Sequence, residues 1–177
     1  RFTLQTLPTE DFPVMTGGDM PHSFDLDSGA MRTLIDRTRF AISTEETRYY
    51  LNGIYVHAVT DGDPKLRAVA TDGHRLARVE IDLPEGAETM PGVIIPRKTV
   101  AELRKLIEET DGAITISLSE TKIRFEFDGA VLISKLIDGT FPDYERVIPT
   151  GNDKILKVDD NIRGKRFTIP YTVNDGE

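Results

Sequence analysis

The hydrophobic and polar positions of this chain follow two different periods. Several short runs, such as Ala113 to Leu118, alternate apolar and polar residues, which indicates strands with one buried face. Two longer segments place apolar residues three or four positions apart, which is the spacing of one helix face. The pattern therefore predicts a protein that mixes short strands with two helices.

The first group of elements is predicted between Ser23 and Ile81. Ser23 to Leu26 reads as a strand, and Asp27 or Ser28 can cap a helix that continues to about Ile42. The buried stripe of this helix is expected to be Met31, Leu34, Ile35, Thr38 and Ile42. Three strands follow at Tyr49 to Val59, Leu66 to Thr71 and Arg75 to Ile81, separated by turn signals at Asp61-Gly-Asp-Pro64 and Asp72-Gly73.

The same order recurs after a connection rich in proline and glycine. A strand at Val93 to Ile95 precedes a helix at Arg97 to Glu109, whose inward residues are expected to be Val100, Leu103, Leu106 and Ile107. Three strands follow at Ala113 to Leu118, Lys122 to Phe127 and Ala130 to Leu136, with a tight hairpin turn at Asp128-Gly129. Two strand-helix-three-strand units predict an α+β domain with two helices on one face of antiparallel sheets.

A second repeat connects the two ends of the chain. Leu4 to Leu7 followed by Phe12-Pro13 matches Ile133 to Leu136 followed by Phe141-Pro142 in constant register. We therefore predict three parts, in which residues 1–22 end one domain and form a linker, residues 23–150 are a complete central domain, and residues 151–177 begin a third. Lys154 to Val158 is its expected opening strand, whereas Asp159 to Glu177 fits no element of the repeat.

Composition narrows the function classes. The 177 residues carry 22 Lys and Arg against 30 Asp and Glu, a net charge of −8, so binding to DNA would require a locally basic face. No cysteine occurs, which excludes disulfides and thiolate metal sites and fits a reducing cytoplasm. No apolar run approaches membrane-spanning length, so we expect no membrane association.

Motifs for cofactors or metals are not visible in the sequence. His22, His57 and His74 are far apart, and no carboxylates have the spacing of metal ligands. No phosphate-binding loop is present, so nucleotide hydrolysis has no recognisable site. We therefore expect neither a metal nor a cofactor.

Basic residues concentrate on the two predicted helices. Arg32, Arg37 and Arg39 outnumber Asp36 on the first. On the second, Arg97, Lys98, Arg104 and Lys105 compete with Glu102, Glu108 and Glu109. Local positive potential is sufficient to attract phosphates, so these are the best candidates for DNA contact. The alternative is that they form solvated helix faces with ion pairs between neighbouring turns.

The segment Thr71 to Leu76 permits two interpretations. Asp72 and His74 lie close together, which is compatible with an enzyme that acts on nucleic acid, but no third partner or oxyanion hole accompanies them. The default interpretation is structural, with Asp72-Gly73 making a turn and Leu76 packing.

Four motifs resemble the bacterial DNA polymerase III beta subunit, the sliding clamp, in the same order. They are Arg48-Tyr-Tyr-Leu-Asn-Gly53, Ala70-Thr-Asp-Gly-His-Arg-Leu-Ala77, Ile95-Pro-Arg-Lys98 and Phe141-Pro-Asp-Tyr-Glu-Arg-Val147. The resemblance extends from about Arg1 to about Val158. It implies a non-catalytic processivity factor whose ring of two chains, with three repeats each, surrounds duplex DNA with helices on its inner wall.

The resemblance also implies roles for particular residues. A pocket for short apolar peptides of partner proteins would comprise Leu51, Thr71, Gly73, His74, Arg75, Leu76, Pro142, Arg146 and Val147. Tyr49 and Tyr50 would lie near the DNA path, with rings on opposite faces of a strand. Glu45 departs from the neutral polar residue expected there, which argues against a phosphate grip by this loop.

The partners implied by the resemblance are proteins of replication and repair. They include the DNA polymerase III alpha subunit, the clamp loader, other polymerases and repair proteins with clamp-binding peptides, and a second full-length copy in a homodimer. The ATP used in loading belongs to the loader. A further alternative is a clamp-derived peptide-binding module that does not form a ring.

Overall fold

The computed structural model describes Phe2, residues 4–11 and residues 18–151. Within these residues the two helices are α1 (Ser28–Asp36) and α2 (Arg97–Leu106). The eight strands are β1 (His22–Asp27), β2 (Gly53–Val59), β3 (Lys65–Thr71), β4 (Leu76–Asp82), β5 (Val93–Pro96), β6 (Ala113–Leu118), β7 (Lys122–Phe127) and β8 (Ala130–Lys135). The predicted α+β class is confirmed, and each predicted strand-helix-three-strand unit is present.

The strands form two four-stranded antiparallel sheets, in the orders β1-β6-β7-β8 and β4-β3-β2-β5. The first strand of each unit pairs with strands of the other unit. Phe24 of β1 is opposite Ile116 of β6, and Ile54 of β2 is opposite Ile95 of β5. The two repeats are therefore interlocked, and neither unit completes a sheet alone.

Local signals account for the ends of the helices. The Asp27 carboxylate accepts a hydrogen bond from the Ala30 N–H at 3.0 Å and caps the N-terminus of α1. Arg32 donates from one guanidinium nitrogen to the carbonyls of Ile107 at 2.8 Å and Thr110 at 2.6 Å, immediately after the C-terminal end of α2. The two helices are thus joined by a charged cap.

One apolar core is shared by both helices and both sheets. Its members include Leu34 of α1, Leu103 of α2, Leu66 of β3 and Phe125 of β7, which are at most 3% exposed. All five residues of the predicted α1 stripe are buried, as expected. Burial of one face of each helix leaves the opposite face for polar contacts.

The structure corrects four predictions of element boundaries and burial. The first helix ends at Asp36 rather than near Ile42, and a separate 3-10 turn covers Arg39–Ala41. The strand predicted from Tyr49 begins only at Gly53. The preceding Tyr49–Leu51 is a 3-10 turn, because the N–H groups of Leu51 and Asn52 bond to the carbonyls of Arg48 and Tyr49.

The third correction concerns Leu106, which was expected to face inward but is half exposed. Successive helical residues rotate by about 100°, which places Leu106 at the margin of the stripe formed by Val100, Leu103 and Ile107. Those three are at most 3% exposed, as predicted. The second helix also stops earlier than expected, at Leu106.

The chain divides into two compact units, Arg1–Pro142 and Asp143–Glu177. The described part of the second unit contains a 3-10 turn at Tyr144–Val147. In the first unit, Leu4 and Leu7 lie outside any strand and are more than 80% exposed. The Phe12-Pro13 pair, the strand expected at Lys154 to Val158 and most of the third part lie outside the described residues. The three-part division therefore stays a prediction.

Candidate functional site

The turn between β3 and β4 is fixed by its own side chains. Asp72 Oδ1 accepts hydrogen bonds from the N–H groups of His74 and Arg75, both at 3.0 Å, and its Oδ2 pairs with Arg75 Nε at 3.0 Å. Thr71 Oγ1 donates to the Arg75 carbonyl at 2.7 Å and accepts from the Gly73 N–H. Gly73 has a φ of +87°, which a residue with a side chain adopts only with strain.

The same bonds determine the chemistry of Asp72. The two main-chain N–H groups, followed by Arg75, lower the pKa of Asp72 to about 2. A carboxylate with this pKa is a weak base near neutral pH, and both of its oxygens are engaged. The turn therefore serves to present His74, Arg75 and Leu76 rather than to carry proton transfer.

Arg75 and Leu76 border an open groove beside the edge strand β4. The Arg75 guanidinium lies over the Phe40 ring, 5.7 Å from its centroid, and Arg37, Phe40 and residues 76–80 line the groove. Phe40 is 56% exposed although it is a large aromatic residue. The lining combines apolar side chains with the cations of Arg37 and Arg78 and the carboxylate of Glu80, so the groove can contact both apolar and polar groups of a peptide.

A loop before β2 approaches this turn from the other side. Arg48 makes a two-point ion pair with Glu45, at 2.8 Å and 2.6 Å, and its guanidinium lies directly above Gly73, where it leaves no room for a Cβ atom. Next to Arg48, the rings of Tyr49 and Tyr50 meet edge to face with centroids 5.8 Å apart. Leu51, the next residue in the chain, is buried, with 3% of its surface exposed.

The rings of Tyr49 and Tyr50 therefore contact each other and do not point to opposite faces of a strand, as the sequence had indicated. Gly139 lies beside both, and a Cβ atom there would meet the Tyr50 Cβ at 3.0 Å. Tyr49 is 53% exposed, whereas Tyr50 is partly buried. Only the Tyr49 ring offers a large free surface.

The segment after β8 is held on the outer side of the second sheet. The Ile137 N–H donates to the Ile94 carbonyl at 3.0 Å, and the Phe141 ring stacks on Tyr55 with centroids 4.9 Å apart and planes 8° apart. Burial raises the pKa of the Tyr55 hydroxyl. These contacts fix the position of Phe141 immediately before Pro142.

The basic residues of the helices divide into two groups. Arg32 and Arg104 are committed to the fold, since Arg32 caps α2 and Arg104 Nε donates to both oxygens of Asp36 at 3.0 Å. The other group is exposed and consists of Arg37, Arg39, Arg97, Lys98 and Lys105. Within it, Arg39 pairs with Asp36 at 3.2 Å and Lys105 pairs with Glu102 at 3.0 Å.

Comparison with known proteins identifies the family. The family model described as the DNA polymerase III beta subunit, central domain, matches residues 25–143. The chain belongs to this beta subunit family. The match lies inside the central domain predicted at residues 23–150, and it contains both helices and all eight strands except the first residues of β1.

Curated relatives carry the name beta sliding clamp. A Caulobacter vibrioides protein is 56% identical over 175 residues, which is 98% of this chain and 47% of that relative. A Pseudomonas aeruginosa protein is 46% identical over 156 residues, or 88% of this chain and 42% of the relative. This beta-subunit chain therefore spans about half the length of the relatives it matches. The first match includes most of the segment 159–177, which the repeat pattern left unassigned.

Solved clamp structures have the same fold. A sliding clamp from Bartonella birtlesii bound to griselimycin superposes with a TM-score of 0.83 at 61% identity, and the match covers 86% of this chain and 41% of that one. The polymerase III beta of Caulobacter crescentus gives a TM-score of 0.81 at 57% identity, over 86% and 42% of the two chains. The predicted clamp fold is thereby confirmed for this beta-subunit segment.

The structure brings together part of the predicted peptide pocket. Thr71, Gly73, His74, Arg75 and Leu76 form one continuous turn of the first unit. Pro142 ends that unit, whereas Arg146 and Val147 belong to the second, where Arg146 pairs with Asp143 at 2.7 Å. The pocket as a whole stays a prediction.

Phe40 and Arg48 lie beside residues of this turn but were absent from the predicted sites. Phe40 does not fall on the apolar stripe predicted for the first helix. A large aromatic residue outside that stripe was the available signal of an exposed contact surface. Arg48 was quoted in a motif without a role, and its contact with Gly73 depends on a loop that sequence periodicity does not describe. Both lie beside the turn at which the peptide pocket was predicted.

Two further findings concern the described part of the chain. No group of three or more His, Asp and Glu side chains there is arranged to hold a metal ion. Neither helix there has the length and apolar character needed to cross a lipid bilayer.

Proposed function

We propose that this chain is the central part of a DNA sliding clamp, which surrounds duplex DNA and gives processivity to a replicative polymerase without catalysing a reaction. The observation that carries the proposal is a separation of charge. In a chain of net charge −8, α1 and α2 bury apolar faces, while Arg37 and Arg39 just after α1 and Arg97 and Lys98 at the start of α2 are exposed to solvent. Phosphates are attracted by such a local surface without any readout of base sequence.

Edge strands support assembly into a ring. Among the described residues, the edge strands are β1 and β8 in one sheet and β4 and β5 in the other, and the Ile137 N–H bonds to Ile94 on the open side of β5. Unpaired main-chain groups at an edge favour continuation of the sheet by another domain. We infer that flanking clamp domains, and a second full-length copy, close the ring in the complete protein.

The partner-binding role rests on the β3–β4 turn and its groove. Leu76 and Phe40 supply apolar contacts, and Arg75 supplies a cation for a peptide carbonyl or carboxylate. We infer that the DNA polymerase III alpha subunit, the clamp loader and other polymerases and repair proteins insert apolar peptides here. The ATP for loading is hydrolysed by the loader, and the chain itself needs no cofactor.

The DNA-facing assignment is tested by removing two cations from each side of the molecule. Arg97→Ala with Lys98→Ala alters the exposed start of α2, whereas Lys122→Ala with Lys135→Ala alters cross-strand neighbours on β7 and β8. Duplex binding is followed by fluorescence anisotropy at several salt concentrations. We expect the helix pair to weaken binding and flatten its salt dependence by about 1–2 phosphate contacts, since each neutralised phosphate contributes a slope of about 0.9. Equal losses in the two pairs would contradict a helical inner wall.

The peptide site is tested by titration of a fluorescent peptide rich in Gln and Leu with a terminal Phe. Arg75→Ala with Leu76→Ala removes a cation and an apolar side chain from the turn. Arg124→Ala with Val131→Ala makes the equivalent change on the outer face of the other sheet, where Val131 is 50% exposed. We expect the first pair to abolish saturable binding and the second to leave it intact. Retention of full affinity by the first pair would refute this placement of the pocket.

A further inference from the structure

The main chain of the loop before β2 is held in one position. The Ser43 N–H donates to the Leu51 carbonyl at 3.1 Å, and the Glu45 N–H donates to Ser43 Oγ at 3.1 Å. Asn52 Nδ2 donates to the Glu45 carbonyl, also at 3.1 Å. Glu45 is therefore fixed at its backbone from both ends of the loop, and its side chain starts from a defined point.

The Glu45 carboxylate binds the Nε and Nη2 edge of the Arg48 guanidinium. Its two oxygens accept from Nε at 2.8 Å and from Nη2 at 2.6 Å, which is the parallel two-point arrangement that an arginine also uses for phosphate. The hydrogen bond from Arg48 lowers the pKa of Glu45, and the same pair raises the pKa of Arg48. Glu45 is thus ionised near neutral pH and offsets the charge of Arg48.

The remaining nitrogen of the same guanidinium, Nη1, lies against the β3–β4 turn. Arg48 Nη1 occupies the space directly above Gly73, and the nearby carboxylate of Asp72 is already bonded to Arg75 and to two main-chain N–H groups. One arginine therefore connects the turn of the proposed peptide pocket with the Tyr49-Tyr50 segment. The two side-chain hydrogen bonds found for Arg48 in the described chain both go to the Glu45 carboxylate.

We propose that Glu45 determines the strength of DNA contact at this loop by acting as an internal competitor of phosphate for Arg48. The proposal rests on the function proposed above, because it requires DNA to pass near Tyr49. A phosphate that binds the Nε and Nη2 edge of Arg48 must displace the Glu45 carboxylate. The other two-point edge of the guanidinium includes Nη1, which lies against Gly73. The loop consequently holds a cation beside the DNA path in a neutralised form, and DNA slides past it with less resistance.

Glu45→Gln is the informative variant. Gln keeps an oxygen that can accept from Arg48, and its backbone retains the bonds to Ser43 and Asn52, but the negative charge is lost. Glu46→Gln is the matched control, because Glu46 is the adjacent exposed carboxylate and no ion pair of it is found in the described chain. Both variants change the net charge by the same amount. Arg48→Ala and the double variant Glu45→Gln, Arg48→Ala complete a cycle.

Binding of a fluorescein-labelled primer–template duplex is measured by anisotropy across a salt series for all five proteins, with urea midpoints to compare their stability. We expect Glu45→Gln to tighten binding about three- to tenfold at low salt and to steepen the salt dependence by about 0.9, the contribution of one phosphate. Glu46→Gln should tighten binding less than about twofold, because it adds no phosphate contact. In the Arg48→Ala background the effect of Glu45→Gln should fall to that of Glu46→Gln.

Two results would overturn the proposal alone. One is equal tightening by Glu45→Gln and Glu46→Gln, and the other is persistence of the Glu45→Gln effect in the absence of Arg48. In either case binding that still depends on Arg97 and Lys98 would leave the proposed clamp function standing. Failure of the wild-type chain and every variant to bind duplex DNA would overturn the DNA-facing assignment and this inference with it.

Discussion

The orientation of α2 is the basis of the DNA-facing assignment, and two leucines of that helix test it. Leu103 is 1% exposed and lines a small apolar cavity of about 30 Å³ between the helices and both sheets. Leu106, three residues later on the same helix, is 50% exposed. Replacing each by Ala makes the same chemical change in two environments, and the helix propensities of Leu and Ala are nearly equal.

The expected magnitudes follow from burial. Leu103→Ala removes three buried carbons, which at about 0.8 kcal/mol each amounts to about 2.4 kcal/mol. A cavity term adds to this, and measured Leu→Ala changes in other cores reach about 2.7–5.0 kcal/mol. Leu103 is packed between the two helices and both sheets, so we expect about 3–4 kcal/mol for its truncation. Half-exposed Leu106 should lose at most about 1 kcal/mol.

Urea unfolding followed by circular dichroism provides the assay. With an m value of about 2 kcal/mol/M, Leu103→Ala should lower the midpoint by about 1.5–2 M and Leu106→Ala by at most about 0.5 M, with m unchanged. Leu103→Met, which conserves volume, should cost less than about 1.5 kcal/mol. Equal losses at the two leucines, or a larger loss at Leu106, would refute the orientation of α2 and the exposure of Arg97 and Lys98 that depends on it.

Three further changes have defined outcomes. Gly53→Ala should destabilise by about 1–3 kcal/mol in urea unfolding, because its Cβ would collide with a main-chain carbonyl of β5, whereas Gly112→Ala, with open space around it, should change stability little. Asp72→Ala should lower the urea midpoint above pH 4, and the two proteins should converge towards pH 2. The reason is that the folded-state pKa of Asp72, about 2, lies below its ordinary value of 3.8, so its stabilisation is lost as the pH falls through that window. A constant difference in midpoint across this range would contradict the expectation. Arg104→Ala should cost about 1 kcal/mol in thermal or urea unfolding through loss of its bonds to Asp36, and duplex binding should fall less than for Arg97→Ala.

The site was predictable where local sequence determines local structure. The turn at Asp72-Gly73 is present because the Asp72 carboxylate bonds to the main chain two and three residues later, which a short polar side chain before glycine favours in any context. Arg97, Lys98 and Lys105 of α2 were also found on its exposed side, because the helical period separates them from the apolar stripe. The roles of individual arginines were less predictable. Arg32 and Arg104 bond to distant partners, Thr110 and Asp36, that no local pattern brings near.

The sequence by itself determined most of the core positions and the existence of each strand and helix, although not every boundary or the exposure of Leu106. Alternation along β6 and β7 and the three-four spacing of α1 reflect burial of one face, and that requirement acts within each element. The family resemblance extended this to a clamp fold, which the comparisons confirm.

Only the tertiary structure decided how the two strand-helix-three-strand repeats share their strands. β1 of the first repeat joins β6 in the sheet of the second repeat, and β5 of the second repeat joins β2 in the sheet of the first. An amphipathic strand defines its buried face but not the edge beside which it lies, since every open edge offers the same main-chain hydrogen bonds. The position of Arg48 above Gly73 has the same origin, because it depends on loop ends that are fixed by contacts distant in sequence.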